Sequence, residues 1–173
     1  MRLRKWPAHI HRMGHFVIVT PQCNATVRWF RETLGMIGTD DFYRGTQDNL
    51  VASFNRCDRG DDYADHHTVY CRQSERTGIH HLSYEATDLD DVFLGHDHMV
   101  ERGHRHVWGV SRHLYGSQVT DYWADPTGAL YEFWTDTDRF NRANGTQLTN
   151  IEDRNFTDQW GTDVPEEFPH WVY

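Results

Sequence analysis

Cysteine is scarce: Cys23, Cys57 and Cys71 are an odd set of three with no C-x-x-C pair among them. That argues against a disulfide framework and makes a reducing cytoplasm the expected compartment. Long apolar runs are missing as well. The longest, around "HFVIVT", is far too short to span a bilayer, and no charged-then-apolar leader opens the chain. Positive charge is in deficit, with 17 Lys and Arg against 26 Asp and Glu for a formal net charge of -9. Nucleic acid and anionic membranes both need a basic surface, so neither is an expected partner. The short basic stretch "MRLRK" at the start does not change that balance.

What is present is a globular composition. The 173 residues are 38% hydrophobic and 14% aromatic, enough for one core-bearing domain with or without a tail. The 13 histidines are the unusual feature. Most need no reason beyond surface polarity, but several fall in strand-like segments, where a neutral imidazole is a natural metal ligand.

The pattern along the chain repeats once. A β-branched strand at 13–20 is followed by the turn "PQCN", with Asn24 as expected N-cap of the helix "ATVRWFRETLGM" and Gly35 as its stop. Val27, Phe30, Arg31 and Leu34 recur at helical spacing, and strands fit at about 36–44, 49–57 and 66–72. The second part opens with the strand "GIHHLSYEA". Asp88 then caps the helix "LDDVFLGHDHMVERG", with Asp91 three residues on and Gly103 as stop. Strands follow near 105–110, 117–124 and 129–135, with "DPTG" turning between the last two. Each part reads β-α-β-β-β, giving an α+β domain over 1–136 with modules at about 11–73 and 78–136. Residues 137–173 read as an irregular C-terminal tail laid on the domain and pinned by Trp160, Phe168 and Trp171.

Three strand residues then stand out: His15 in "GHFV", His81 in "HHLS" and Glu132 in "LYEFW". A lone strand histidine is usually a hydrogen-bonded core residue, and a lone Glu usually faces solvent. Their placement at the starts of both modules and the end of the second shifts those odds. Two imidazoles and one carboxylate on one face of a metal leave its other positions open, the usual arrangement for non-haem Fe(II). His80 and His81 are neighbours on a strand, so His80 is expected to point away from the metal. His104 and His106 alternate on one strand without an evident third ligand.

With "RHLYGSQVTDYWADPTGALYEFW" at 112–134, the sequence resembles the type I extradiol catechol dioxygenases of the vicinal oxygen chelate superfamily. The likeness runs from about residue 11 to 135 and is to the catalytic half of the two-domain enzymes. It implies two βαβββ modules curving around a metal, with His15, His81 and Glu132 as ligands of Fe(II), Mn(II) being an alternative. It implies catalytic roles for His113 and Tyr122, and for a histidine about fifteen residues before the second ligand. "ADHHTVY" offers His66 and His67 for that acid–base role; the offset favours His66, and on a strand only one of the two can face the metal.

The implied reaction inserts O2 into a catechol, such as a biaryl catechol or L-DOPA, to give a hydroxymuconic semialdehyde-type product. Two other readings stand beside it: a glyoxalase-like isomerase or thiol transferase on the same ligands, and a non-catalytic small-molecule-binding protein. A lone module pair exposes a flank that two-domain relatives cover, so a homo-oligomer, a dimer, is expected.

Overall fold

A computed structural model of the chain describes residues 6–153 and 158–173, and the basic stretch at 1–5 lies outside them. Strand β1 (Ile10–Thr20) leads into helix α1 (Cys23–Leu34), then β2 (Ile37–Arg44), β3 (Thr46–Arg56), the short β4 (Ala64–Asp65) and β5 (Val69–Gln73). The order recurs as β6 (Gly78–Ala86), α2 (Leu89–Glu101), β7 (Arg105–Arg112), β8 (Val119–Ala124) and β9 (Leu130–Thr135). With β11 (Gln147–Asn150) from the C-terminal segment, nine strands form one mixed sheet in the order β11-β2-β3-β5-β1-β6-β9-β8-β7. β1 pairs in parallel with β5, the last strand of its module, and β6 does the same with β9. The two modules meet where β1 and β6 run antiparallel at the centre. The fold is α+β, as the repeat implies.

Helix α2 starts where the sequence places it. The Asp88 side chain accepts the Asp91 N–H at 2.9 Å, which satisfies one of the otherwise unpaired first-turn donors. Helix α1 differs. It begins at Cys23 with Gln22 at the cap position and no side-chain cap, while the Asn24 amide donates to the Asp48 carbonyl at 2.8 Å. Cys23, Val27 and Phe30 are buried, and Gly35, at φ 68, ends the helix in the left-handed conformation glycine adopts without cost. Leu34 continues the helical spacing yet is 58% exposed.

The segment after Asp136 is less irregular than its polarity suggests. β10 (Arg139–Phe140) pairs with β4, and β11 (Gln147–Asn150) adds a parallel edge strand to β2. The buried Arg56 guanidinium fastens this segment, donating from Nη2 to the carbonyls of Asn141 and Asn144 and from Nη1 to that of Gly38. Two of the three expected aromatic anchors engage closely: Phe168 packs on Trp108 and Tyr122, and the Trp171 indole donates to the Gly128 carbonyl. Trp160 remains 44% exposed, held by a backbone bridge to Arg112 and by that guanidinium over its ring.

Candidate metal centre and its cavity

His15 on β1, His81 on β6 and Glu132 on β9 converge from three adjacent central strands. Two irregularities in the β1–β6 ladder set the aim of the histidines. Between Met13 and His15, β1 carries one residue more than β6, and that residue is Gly14. A β-carbon there would collide with the Trp134 indole, so glycine lets the ring pack behind His15. Between Ile79 and His81 the extra residue lies on β6, and it is His80. A bulge breaks strand alternation. His80 therefore does not point away from the site, as plain alternation requires, but lines the same cavity as His81.

The ligand atoms meet without hydrogen bonding. Glu132 Oε2 lies 2.8 Å from His15 Nε2 and 3.4 Å from His81 Nε2. Yet His81 Nε2 and Glu132 Oε2 are buried with no hydrogen-bond partner. Buried polar atoms are rarely left so, and lone pairs converging on one point are what a cation requires.

A chain of hydrogen bonds fixes which nitrogen of His81 is free. The Phe168 carbonyl can only accept, so His80 Nε2, 2.7 Å away, is the donor. Burial holds His80 well below the ordinary imidazole value, so it is neutral and its Nδ1 is an acceptor. His81 Nδ1, at 2.8 Å, must then donate, which leaves His81 Nε2 unprotonated toward Glu132. Burial would push the Glu132 carboxyl up, but the two imidazoles outweigh it and hold it well below the usual carboxylate range. Burial likewise lowers His81. The donor set is thus two imidazoles and a carboxylate, which fits a divalent metal.

The three residues open on a cavity of about 310 Å³. The Tyr122 hydroxyl donates to Glu132 Oε1 at 2.9 Å and lies 2.8 Å from His113 Nε2, while His113 Nδ1 donates to Asp158 at 2.9 Å. Burial, then the Glu132 charge, raises the Tyr122 phenol well above its ordinary value, so it stays protonated. Phe54, Tyr70, Trp108 and Phe168 supply aromatic walls.

The histidine doublet of module one lies in the link between β4 and β5, not on a strand, and both rings are buried. His67 lines the cavity and packs on His15 with ring centroids 4.1 Å apart; His66 is not among the lining residues. His66 stands behind it, with Nε2 2.6 Å from Asp40 and Nδ1 3.0 Å from His67 Nδ1. His67, and not the expected His66, is thus the ring of this doublet that reaches the cavity. Strand alternation does not govern a bend.

Residues 12–133 match the family model of the Glyoxalase/Bleomycin resistance protein/Dioxygenase superfamily. The chain belongs to that superfamily. Within it, the chain is 29% identical over 157 residues to metapyrocatechase 2 of Cupriavidus necator, covering 91% of this chain and 46% of that protein. It is 28% identical over 123 residues to the 1,2-dihydroxynaphthalene dioxygenase of Sphingobium xenophagum, covering 70% of this chain and 40% of the relative. The chain therefore spans about half the length of these relatives, or less. The fold aligns with homoprotocatechuate 2,3-dioxygenase of Brevibacterium fuscum at TM-score 0.76 and 20% identity, over 95% of this chain and 50% of that one. A Mn(II)-bound glyoxalase from Novosphingobium aromaticivorans aligns at TM-score 0.76 and 21% identity, over 96% and 52%.

All three expected ligands of this superfamily member come together, with His113 and Tyr122 beside them. The sequence reading missed Asp158 and Asp40, which orient His113 and His66. Asp40 sits on β2 and Asp158 in the polar tail, and neither carries a local signal in sequence.

Proposed function

We propose that this chain is the catalytic unit of an Fe(II)-dependent extradiol dioxygenase that cleaves a catechol beside its two oxygens. The observation that carries the reading is the cavity on which His15, His81 and Glu132 converge, with His81 Nε2 and Glu132 Oε2 left without hydrogen-bond partners, edged by His67, His113 and Tyr122. The names of the dioxygenase relatives point the same way. His15, His81 and Glu132 would hold the metal on one face, with Mn(II) as a possible substitute for Fe(II). When bound, Fe(II) would supply open positions for both substrate oxygens and O2, and a path for electrons between them.

The chain's own groups bind, orient and move protons. Burial holds His67 well below the ordinary imidazole value, so it is a neutral base at pH 7. Where His66 donates from Nε2 to Asp40 and accepts at Nδ1 from His67 Nδ1, His67 Nε2 is left free to take a catechol hydroxyl proton. By turning its hydroxyl from Glu132, the protonated Tyr122 can donate to a substrate oxygen, and His113, oriented by Asp158, can steady the tyrosine. The aromatic walls receive the ring and exclude water. Both atoms of O2 enter the product, a hydroxymuconic semialdehyde-type compound, so no external reductant is needed.

The reading includes self-association through apolar side chains left exposed on the helices, Trp29 and Leu34 on α1 and Phe93 and Val100 on α2. A monomer mass by light scattering would refute that part. The activity is tested by loading iron anaerobically, then supplying air and a panel of substituted catechols. The expected result is one O2 consumed per catechol with a yellow product. Full iron occupancy with no oxygen uptake across the panel would overturn it, and isomerase turnover of an aldehyde–thiol adduct would place the chain with the glyoxalases instead.

A further inference from the structure

A second cluster of metal-ligating side chains lies on the opposite side of β8 from the cavity. Tyr122 faces Glu132, while its neighbour Asp121 points the other way, as successive strand residues do. There Asp121 meets His96 from α2 and His106 from β7. His106 Nε2 lies 2.8 Å from Asp121 Oδ1 and His96 Nδ1 3.1 Å from Oδ2. One potential ligand atom from each residue lies within 4.8 Å of the others. The pair suggested by strand spacing, His104 and His106, gives way to His96 and His106, with Asp121 as the third metal-ligating side chain that the sequence did not reveal.

We propose that His96, His106 and Asp121 form a second metal site, for a borderline divalent cation of the zinc or nickel type. Two imidazole nitrogens and a carboxylate suit such ions, and harder cations prefer all-oxygen sets. Bonds of about 2.0–2.2 Å in a tetrahedral site place ligand atoms roughly 3.3–3.5 Å apart, so the two imidazole–carboxylate contacts of 2.8 and 3.1 Å would lengthen by only a few tenths of an ångström.

Three further observations converge. The Asp121 side chain is 0% exposed, and its carboxylate meets the two imidazoles and the Trp123 N–H, with no lysine or arginine among the described residues bonded to it. A dication bound there would compensate the buried carboxylate. Trp123 Nε1 donates to Asp121 Oδ2 at 2.6 Å, an outer bond of the kind that orients a ligating carboxylate. Finally, the Trp123 ring lies 5.4 Å from the His96 ring and 4.7 Å from that of His106. Those imidazoles are 25% and 32% exposed, which leaves an entry path and room for water as fourth ligand. A bound ion would tie α2 to the β7–β8 hairpin, whose strand β8 also carries Tyr122.

The test is a count of total metal, iron plus zinc, on the full-length iron-loaded chain after exposure to zinc chloride and gel filtration. The wild type should retain two ions per chain, and His96→Ala and His106→Ala one each. His81→Ala should also retain one, and its melting temperature should rise with zinc where that of His81→Ala/His106→Ala does not. The count separates this site from the cavity whichever metal the cavity holds. A wild-type total of one, or a total of two retained in both His96→Ala and His106→Ala, would overturn the proposal and leave the cluster a hydrogen-bonded clasp only.

Discussion

The histidine doublets at 66–67 and 80–81 do the same thing by different routes. In each, the inner ring faces the cavity and the outer ring fixes its tautomer through an acceptor behind, Asp40 for His66 and the Phe168 carbonyl for His80. His67→Asn should therefore lower turnover by about 10²–10⁴-fold with metal content retained, because only the acid–base group is lost. His66→Asn should cost less, since it removes only the support. Turnover numbers at equal iron content decide this, and a greater loss in His66→Asn would contradict the geometry. His80→Ala should weaken metal affinity roughly 10–100-fold, measurable by competition with a chelator, as for other groups that orient a ligand from behind. The three converging side chains were legible in the sequence because residue type and module position coincide at His15, His81 and Glu132. The placement of His80 and of His67 was harder to read, since a bulge and a bend both defeat strict alternation.

Strands and helices were legible where capping and periodicity agree, as at Asp88 and Gly103, and less so where a helix begins without a side-chain cap, as at Gln22. The element that matters most to the site is the β1–β6 seam. Its irregularity at Gly14 is closed by Trp134, which fills the space a side chain would take. Gly14→Ala should force the indole or β1 to shift, an overpacking cost of about 1–3 kcal/mol. The denaturant midpoint should fall, and because His15 is the next residue, iron affinity should fall with it. An unchanged midpoint would show that the Trp134 packing is slack.

For the whole molecule, the buried polar centre makes stability depend on pH. His67, His80 and His81 are all held below the ordinary imidazole value of 6.5 by burial. The unfolded chain takes up these protons first, so folding loses stability as pH falls below about 6.5. Glu132, held below 4.5, extends the loss to lower pH in the same direction. The metal-free protein should melt progressively lower from about pH 7 to about pH 5, and a flat profile would show that these groups are less buried than the fold implies. At this scale the tail was the least legible part. Its strands β10 and β11 are too short and polar to announce themselves, and their pairing depends on partners about 70 to 110 residues away in sequence. It nonetheless brings Asp158 and Phe168 to the cavity, so the site belongs to both modules and the tail together. The central claim is that His15, His81 and Glu132 are one metal centre. Its most direct test is iron counted per folded chain after anaerobic loading of the wild type and of His81→Ala. One iron in the wild type and almost none in His81→Ala is the predicted result; full iron in His81→Ala would contradict the account.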